Sequence, residues 1–192
     1  MTGAAVVLAV AVAALVAGAA VVAARSRRMR HRVLPSARGR PDQPRILVPF
    51  TGADLDAAVL DAAVRIAHAE GAVLVPAYLL IVPLAFAEDT PLTDEVARAL
   101  PLLEAVEHAA LRAGVEVDAR IEKGRTPTHA LQRLFGVESF DRALVPAPRR
   151  PGAGFTPKDL AWILTRAPFE TLVLRPGNGA SVSGAAGAAR RR

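Results

Sequence analysis

The residues best equipped to hold an anion lie in one stretch of this 192-residue chain. Pro146-Ala147-Pro148-Arg149-Arg150-Pro151-Gly152-Ala153-Gly154-Phe155-Thr156 is a basic loop with two glycines that runs into a helix start. Glycines let backbone amides turn toward a phosphate, and a helix amino terminus adds a favourable field. Pro146, Pro148 and Pro151 work against such a cradle, because proline has no amide proton to donate. An anion here would be gripped by the side chains of Arg149, Arg150, Thr156 and Lys158 rather than by the backbone. Each has a plainer role as well. Thr156, followed by Pro157 and by Asp159 three residues on, has the form of a capping box. Arg149 and Arg150 equally suit a solvated loop or contact with lipid.

Residues for covalent or metal chemistry are scarce. The chain has no cysteine, which excludes disulfides and thiolate ligands. Between Ile46 and Leu174 the single serine is Ser139, and no Gly-x-Ser-x-Gly surrounds it. His68, His108 and His129 fall in three separate helical stretches without a second ligand at metal spacing. His108 with Glu104 reads as a surface pair one helical turn apart. Asp54/Asp56 and Asp94/Glu95 read as acids of first helical turns, favoured there by the helix dipole. No catalytic or metal-binding constellation emerges, and the expectation is a protein that is not an enzyme.

These residues are positioned by alternating short apolar runs and helical stretches. Ile46–Phe50 is a buried-strand run. It is followed by the Thr51-Gly52 turn and a helix with Leu55, Val59, Ala62 and Ile66 inward, closed by Gly71. Ala72–Val82 is a second run, continuous in apolar residues as befits a strand covered on both faces. Asp94–Ala113 follows as a helix with Leu100, Leu103, Val106 and Ala110 inward, kinked or begun at Pro101. Val115–Ile121 alternates as a third strand, and Thr126-Pro127 opens a short helix. Arg142–Val145 and Thr171–Leu174 complete the strands, with a helix between them that buries Leu160, Ile163 and Leu164. Four such repeats ending on a strand predict an α/β fold, a parallel sheet with helices on both faces. Ligands then bind beyond the carboxyl ends of its strands.

Upstream lies a segment of another kind. Ala4–Ala24 is 21 residues without a charge or polar side chain, long enough as a helix to reach roughly 31 Å across a bilayer core. It stops at Arg25-Ser26-Arg27-Arg28-Met29-Arg30-His31-Arg32. A signal peptide wants its positive charge before the apolar run, and an all-apolar soluble helix wants burial on every side. Residues 1–25 therefore read as a single-pass transmembrane helix. The positive-inside rule puts the following domain in the cytoplasm, at the inner face of the plasma membrane. The arginines at 25–32 set that orientation and attract anionic lipid. Residues 26–45 read as a basic juxtamembrane linker, 46–175 as the domain, and 176–192 as a disordered basic tail. Of the net charge of +6, Arg25–Arg45 supplies +7 and Arg175–Arg192 supplies +4, which leaves −5 on Ile46–Leu174. The folded part is acidic, which argues against nucleic acid as a partner.

Ile46-Leu47-Val48-Pro49 with Gly52 before a helix resembles the opening of the universal stress protein family. So do Gly71-Ala72-Val73-Leu74, Ala113-Gly114-Val115, the Lys123-Gly124-Arg125-Thr126-Pro127 turn, and Arg166-Ala167-Pro168 before Leu172-Val173-Leu174. The resemblance covers Ile46–Arg175. It implies a five-stranded parallel sheet in the order 3-2-1-4-5 and frequently a homodimer through the last strand. ATP-binding members have an Asp after the first strand, a Gly-x-x-Gly loop after the fourth, and a Gly-Ser or Gly-Thr pair further on. Here Thr51 stands where that Asp would be, the glycine loop is out of frame, and the pair falls near Pro157-Lys158. The implied site is a degenerate one built on Thr51, Gly52, Gly124, Arg149, Arg150, Gly152, Gly154 and Thr156. Three functions stay open. The first is a membrane-tethered bacterial stress-response module that binds no cofactor and works through protein contacts or dimerisation. The second is an ATP binder that uses the basic loop, and the third is an accessory domain for a membrane transporter.

Overall fold

The computed structural model describes residues 43–52, 54–88, 90–148, 154–175 and 181–183, all within the compact unit Arg40–Arg192. Five parallel strands form its sheet: β1 (Arg45–Phe50), β3 (Val73–Ile81), β4 (Arg120–Gly124), β5 (Arg142–Pro146) and β6 (Glu170–Leu174). Between β1 and β3 the chain makes the short β2 (Asp54–Asp56) and the helix α1 (Ala57–Glu70). The later crossovers are α2 (Thr93–Arg112), α3 (Pro127–Val137) and α4 (Pro157–Arg166). The order across the sheet is β4-β3-β1-β5-β6. Counting the five sheet strands along the chain, this is the expected 3-2-1-4-5.

Alternation along β1 sorts the core into two layers. Ile46, Val48 and Phe50 pack with Val59 and Ala63 of α1 and with Leu103 and Val106 of α2. Leu47 points the other way, toward Leu131 and Leu134 of α3 and Ile163 of α4. Helices α1 and α2 thus cover one face, and α3 and α4 cover the other. Burying each such side chain contributes about 1.5–3 kcal/mol against the entropy of ordering the chain. Most of the few aromatics gather on the α3/α4 face. Phe135 stacks on Trp162 at 6.2 Å and meets Phe169 edge-on at 5.0 Å, and Phe169 lies 5.7 Å from Phe140.

At the amino end of the sheet a half-buried ion network ties the chain's entry to the domain. Arg45 reaches Glu138 at 2.6 Å and Asp118 at 3.2 Å, while its amide donates to Asp141 at 2.7 Å. Arg120 bonds Glu138 at 2.6 Å and also pairs with Asp118. Burial alone would lower the Arg120 guanidinium, but its hydrogen bonds to Asp118 and Glu138 outweigh that and hold it above its ordinary value.

Several expectations are corrected. α1 begins at Ala57, not at Leu55, which is buried in β2 instead. Asp56 is extended and caps the helix by accepting from the amides of Ala58 (2.9 Å) and Val59 (3.1 Å). The buried stripe of α1 is accordingly Val59, Leu60, Ala63, Val64 and Ala67, with Ala62 and Ile66 at its margin. β4 starts only at Arg120, because Val117 meets Leu74 in an isolated bridge and the ladder begins where Arg120 faces Ala77. Helix α2 continues through Pro101 from a start at Thr93, and Leu100 is half-buried. Leu164 is exposed, since α4 lies over the edge of the sheet, where only β6 extends beyond β5. Within the tail expected to be disordered, Ser181–Ser183 forms β7, which pairs antiparallel with β2. Among the described residues no helix is long and apolar enough to cross a membrane. The span at residues 1–25, the arginines at 25–32 and most of the linker lie outside them.

Candidate functional site

The sheet's connections diverge at one place. β1 turns toward α1 on one face, its neighbour β5 turns toward α4 on the other, and both strands point the same way. A parallel sheet opens a crevice at its carboxyl edge where this happens, and ligands bind there.

One wall is the turn after β1. Thr51 is half-buried, and Gly52 adopts φ +78°, a left-handed conformation that L side chains resist. No heavy atom lies within 4 Å of where a Gly52 Cβ would stand. The other wall is the β5–α4 connection. Gly154 is likewise left-handed at φ +70°, and the buried ring of Phe155 anchors the segment in the α3/α4 core.

That second wall is poor in free backbone donors. Pro146 and Pro148 have none, and the amide of Ala147 between them already donates to Leu174 O at 2.8 Å. Thr156 is committed too. Its hydroxyl accepts from the Asp159 amide at 3.2 Å and donates to Asp159 Oδ2 at 2.7 Å, while its own amide donates to the same oxygen at 2.9 Å. The capping box expected from the sequence is complete, and it uses the groups an anion would need. Arg149, Arg150 and Gly152 lie outside the described residues.

Gly124 does not join this site. It ends β4, two strands from β1, which at the usual spacing is about 10 Å away. A Cβ there would stand 2.5 Å from the Ala130 backbone nitrogen and 2.8 Å from its Cα. The position is glycine so that α3 can lie against β4. Of the eight sequence candidates, the structure brings Thr51 and Gly52 to one side of the switch point and Gly154 and Thr156 to the other.

A second polar cluster was not singled out as a unit from sequence. Glu88, in the β3–α2 loop, faces Arg125 Nε at 3.2 Å, His129 Nδ1 at 3.6 Å and Arg133 Nη1 at 3.7 Å. Arg125 also donates to Pro83 O at 2.7 Å, and Lys123 Nζ donates to Thr90 O at 2.9 Å. His129 Nδ1 accepts the Arg125 amide at 3.2 Å, so that nitrogen carries no proton in this arrangement. Burial raises Glu122 above the ordinary carboxylate range although Arg133 lies 3.1 Å away. The signal was present in the one-turn spacing of His129 and Arg133, which brings both beside Glu88. The cluster pins the β3–α2 loop. His68 and His108 are exposed on α1 and α2, and among the described residues no group of three or more His, Asp or Glu could hold a metal ion.

No protein-family model matches the chain, and no curated protein does so significantly. Solved structures match along most of it. A protein of the universal stress protein family from Burkholderia pseudomallei is 18% identical, with a TM-score of 0.51 over 74% of this chain and 100% of its own. Universal stress protein UspA from Lactobacillus plantarum is 21% identical, with a TM-score of 0.50 over 69% of this chain and 97% of its own. A universal stress protein in complex with cAMP is 20% identical, with a TM-score of 0.51 over 70% of this chain and 98% of its own. With the strand order and layers described above, these likenesses establish that the chain has the universal stress protein fold.

Proposed function

We propose that this chain is a regulatory module, held at the inner face of the membrane by residues 1–25, that senses an adenine nucleotide at the β1/β5 switch point without turning it over. The observation that carries this reading is the β1/β5 switch point, with the left-handed Gly52 turn at the end of β1 and the left-handed Gly154 beyond β5. The complex of a similarly folded protein with cAMP supports the choice of ligand class.

The residues present fit a nucleotide unevenly. Gly52 leaves room on the β1 side, where the turn is free to meet a nucleoside. On the β5 side the prolines and the occupied amide of Ala147 remove the backbone cradle, so the phosphates fall to the guanidinium groups of Arg149 and Arg150. Binding of that kind is weak and salt-sensitive. The described histidines sit apart on three helices, and His129 is engaged with the Arg125 amide. β6 is the sheet's outer strand on that side, and with the exposed Val173 it offers an edge to a second copy.

Calorimetric titration of the purified full chain with ATP, AMP and cAMP tests the reading. Micromolar binding that weakens at least tenfold in Arg149→Ala/Arg150→Ala supports it. Millimolar or absent binding of all three nucleotides removes it. Resistance of the chain to alkaline extraction from membranes tests the anchor separately.

A further inference from the structure

The β3–α2 connection presents an apolar tip to solvent. Pro83, Leu84, Ala85, Phe86 and Ala87 follow one another without a polar side chain, and all of them are exposed. Leu84 is 89% exposed, Phe86 49%, and Ile81 at the end of β3 38%. Exposed apolar residues that stand singly, such as Leu111 near the end of α2 and Val137 at the end of α3, are ordinary on a protein surface. An unbroken run of them marks a contact site.

The run is held in place by its polar groups. The Phe86 amide donates to Pro83 O at 3.1 Å and closes a tight turn, and the Thr90 amide donates to Ala87 O at 3.1 Å. Arg125 also donates to Pro83 O and Lys123 to Thr90 O, so the end of β4 grips the loop on both sides of the tip. Glu88 adds its contacts to Arg125, His129 and Arg133. The loop thus turns its hydrogen-bonding groups toward the protein and its apolar side chains away from it.

Shape and size point to what covers the tip. Leu84 touches little of its own chain, so it is the point of a projection and not the wall of a groove. A stable interface between proteins takes about 20–30 residues a side, far more than this run supplies. A bilayer surface accepts such a point without a shaped pocket, and Leu and Phe are the side chains that bury at the boundary of headgroups and acyl chains. The cations beside the loop are spent on acids, Arg125 on Glu88 and Arg133 on Glu88 and Glu122. The contact is therefore apolar and does not depend on anionic lipid.

The tether reaches far enough. The chain enters the domain at Arg45, at the amino edge of the sheet, whereas the tip lies at the carboxyl edge, beyond the end of β3. Along β3 the sheet is about 27 Å deep. The chain between Arg25 and Arg45 can span up to about 65 Å. A domain tethered in this way meets the bilayer at an effective concentration of about millimolar, so a contact of two side chains is enough to orient it.

We infer that the Leu84/Phe86 tip dips into the headgroup region of the bilayer that anchors the chain, and so turns the carboxyl edge of the sheet toward the membrane. This rests on the anchor proposed above.

The test uses the full chain reconstituted into phosphatidylcholine vesicles, with and without phosphatidylglycerol. The chain has no cysteine, so a fluorescent thiol label goes only to the residue introduced by Leu84→Cys or, as a control at the other end of α2, by Leu111→Cys. The expected result is that aqueous iodide quenches the label at 84 roughly threefold less than the label at 111 in both lipids, and that Phe86→Asp removes the difference. Equal quenching at the two positions in a chain that floats with the vesicles and resists alkaline extraction overturns the contact and leaves the anchor standing. Shielding at 84 that survives Phe86→Asp overturns the apolar tip as its cause. Shielding that arises in detergent without lipid and grows with protein concentration assigns the tip to a second copy instead. A chain that does not float with the vesicles refutes the anchor, and the lipid contact falls with it.

Discussion

Gly124→Ala distinguishes a glycine that packs from a glycine that binds. The added Cβ would meet Ala130 N at 2.5 Å, Ala130 Cα at 2.8 Å and Ala130 Cβ at 2.9 Å, where carbon contacts are comfortable at about 3.5–4.0 Å. Two of the three obstructing atoms are backbone, so no rotamer change relieves the overlap, and α3 or β4 must shift by close to 1 Å. Overpacking of this kind costs about 1–3 kcal/mol, and a backbone obstacle puts Gly124→Ala in the upper half of that range. The lower chain entropy of the unfolded alanine form returns about 0.4–1 kcal/mol. The net expectation is a loss of about 2 kcal/mol, or roughly 6–8 °C in Tm for a domain of this size. Gly136→Ala is the control. Gly136 lies in α3 with nothing within 4 Å of its notional Cβ, so alanine there stabilises the helix by about 0.5–1 kcal/mol. Urea unfolding of both variants, with ATP titration of the folded forms, gives the answer. A Gly124→Ala protein as stable as its parent refutes the packing argument. A stable Gly124→Ala protein that has lost nucleotide binding would return Gly124 to the site.

Other substitutions probe separate parts of the fold. Thr156→Ala removes the acceptor for the Asp159 amide and should cost about 1 kcal/mol in urea unfolding, and a loss near zero would show that the capping box does not support α4. Glu138→Ala takes from Arg45 and Arg120 an acceptor each holds at 2.6 Å. With Asp118 still present, it should cost about 2 kcal/mol, and a change below about 0.5 kcal/mol contradicts the network's role. Glu122 has its pKa raised by burial, so folding favours its protonated form. That contribution is present below the unfolded carboxylate range and is lost as pH rises through the raised value. Glu122→Gln should therefore be more stable than the parent at pH 7, with the gap closing toward pH 4. A gap that widens on acidification refutes the assignment.

The sheet was legible in the sequence because β1, β3 and β5 are buried on both faces and read as unbroken apolar runs, Ile46–Phe50 most plainly. The α4 start was equally legible, since a capping box is local chemistry. What escaped was set by partners distant in sequence. Leu55 lies one turn before Val59 and so fits a helical stripe, yet it becomes a strand residue because Ser181–Ser183 arrives to pair with it. Val115–Ile121 alternates as a strand should, but β3 extends past it, and the ladder is completed by Arg120–Gly124, whose polar residues suit an outer strand. Leu164 has helical spacing without a layer to pack against. The turns at the switch point were legible as turns, whereas the close packing of Gly124 against Ala130 was not, because a residue's proximity to a helix backbone leaves no mark in the sequence around it.

The most direct measurement is amide exchange of the full chain with and without saturating ATP. If the β1/β5 switch point is the nucleotide site, protection rises at Thr51, Gly52, Gly154 and Phe155 while Gly124 and its neighbours in β4 are unchanged. Protection confined to the β4–α3 turn, or none anywhere, contradicts the account.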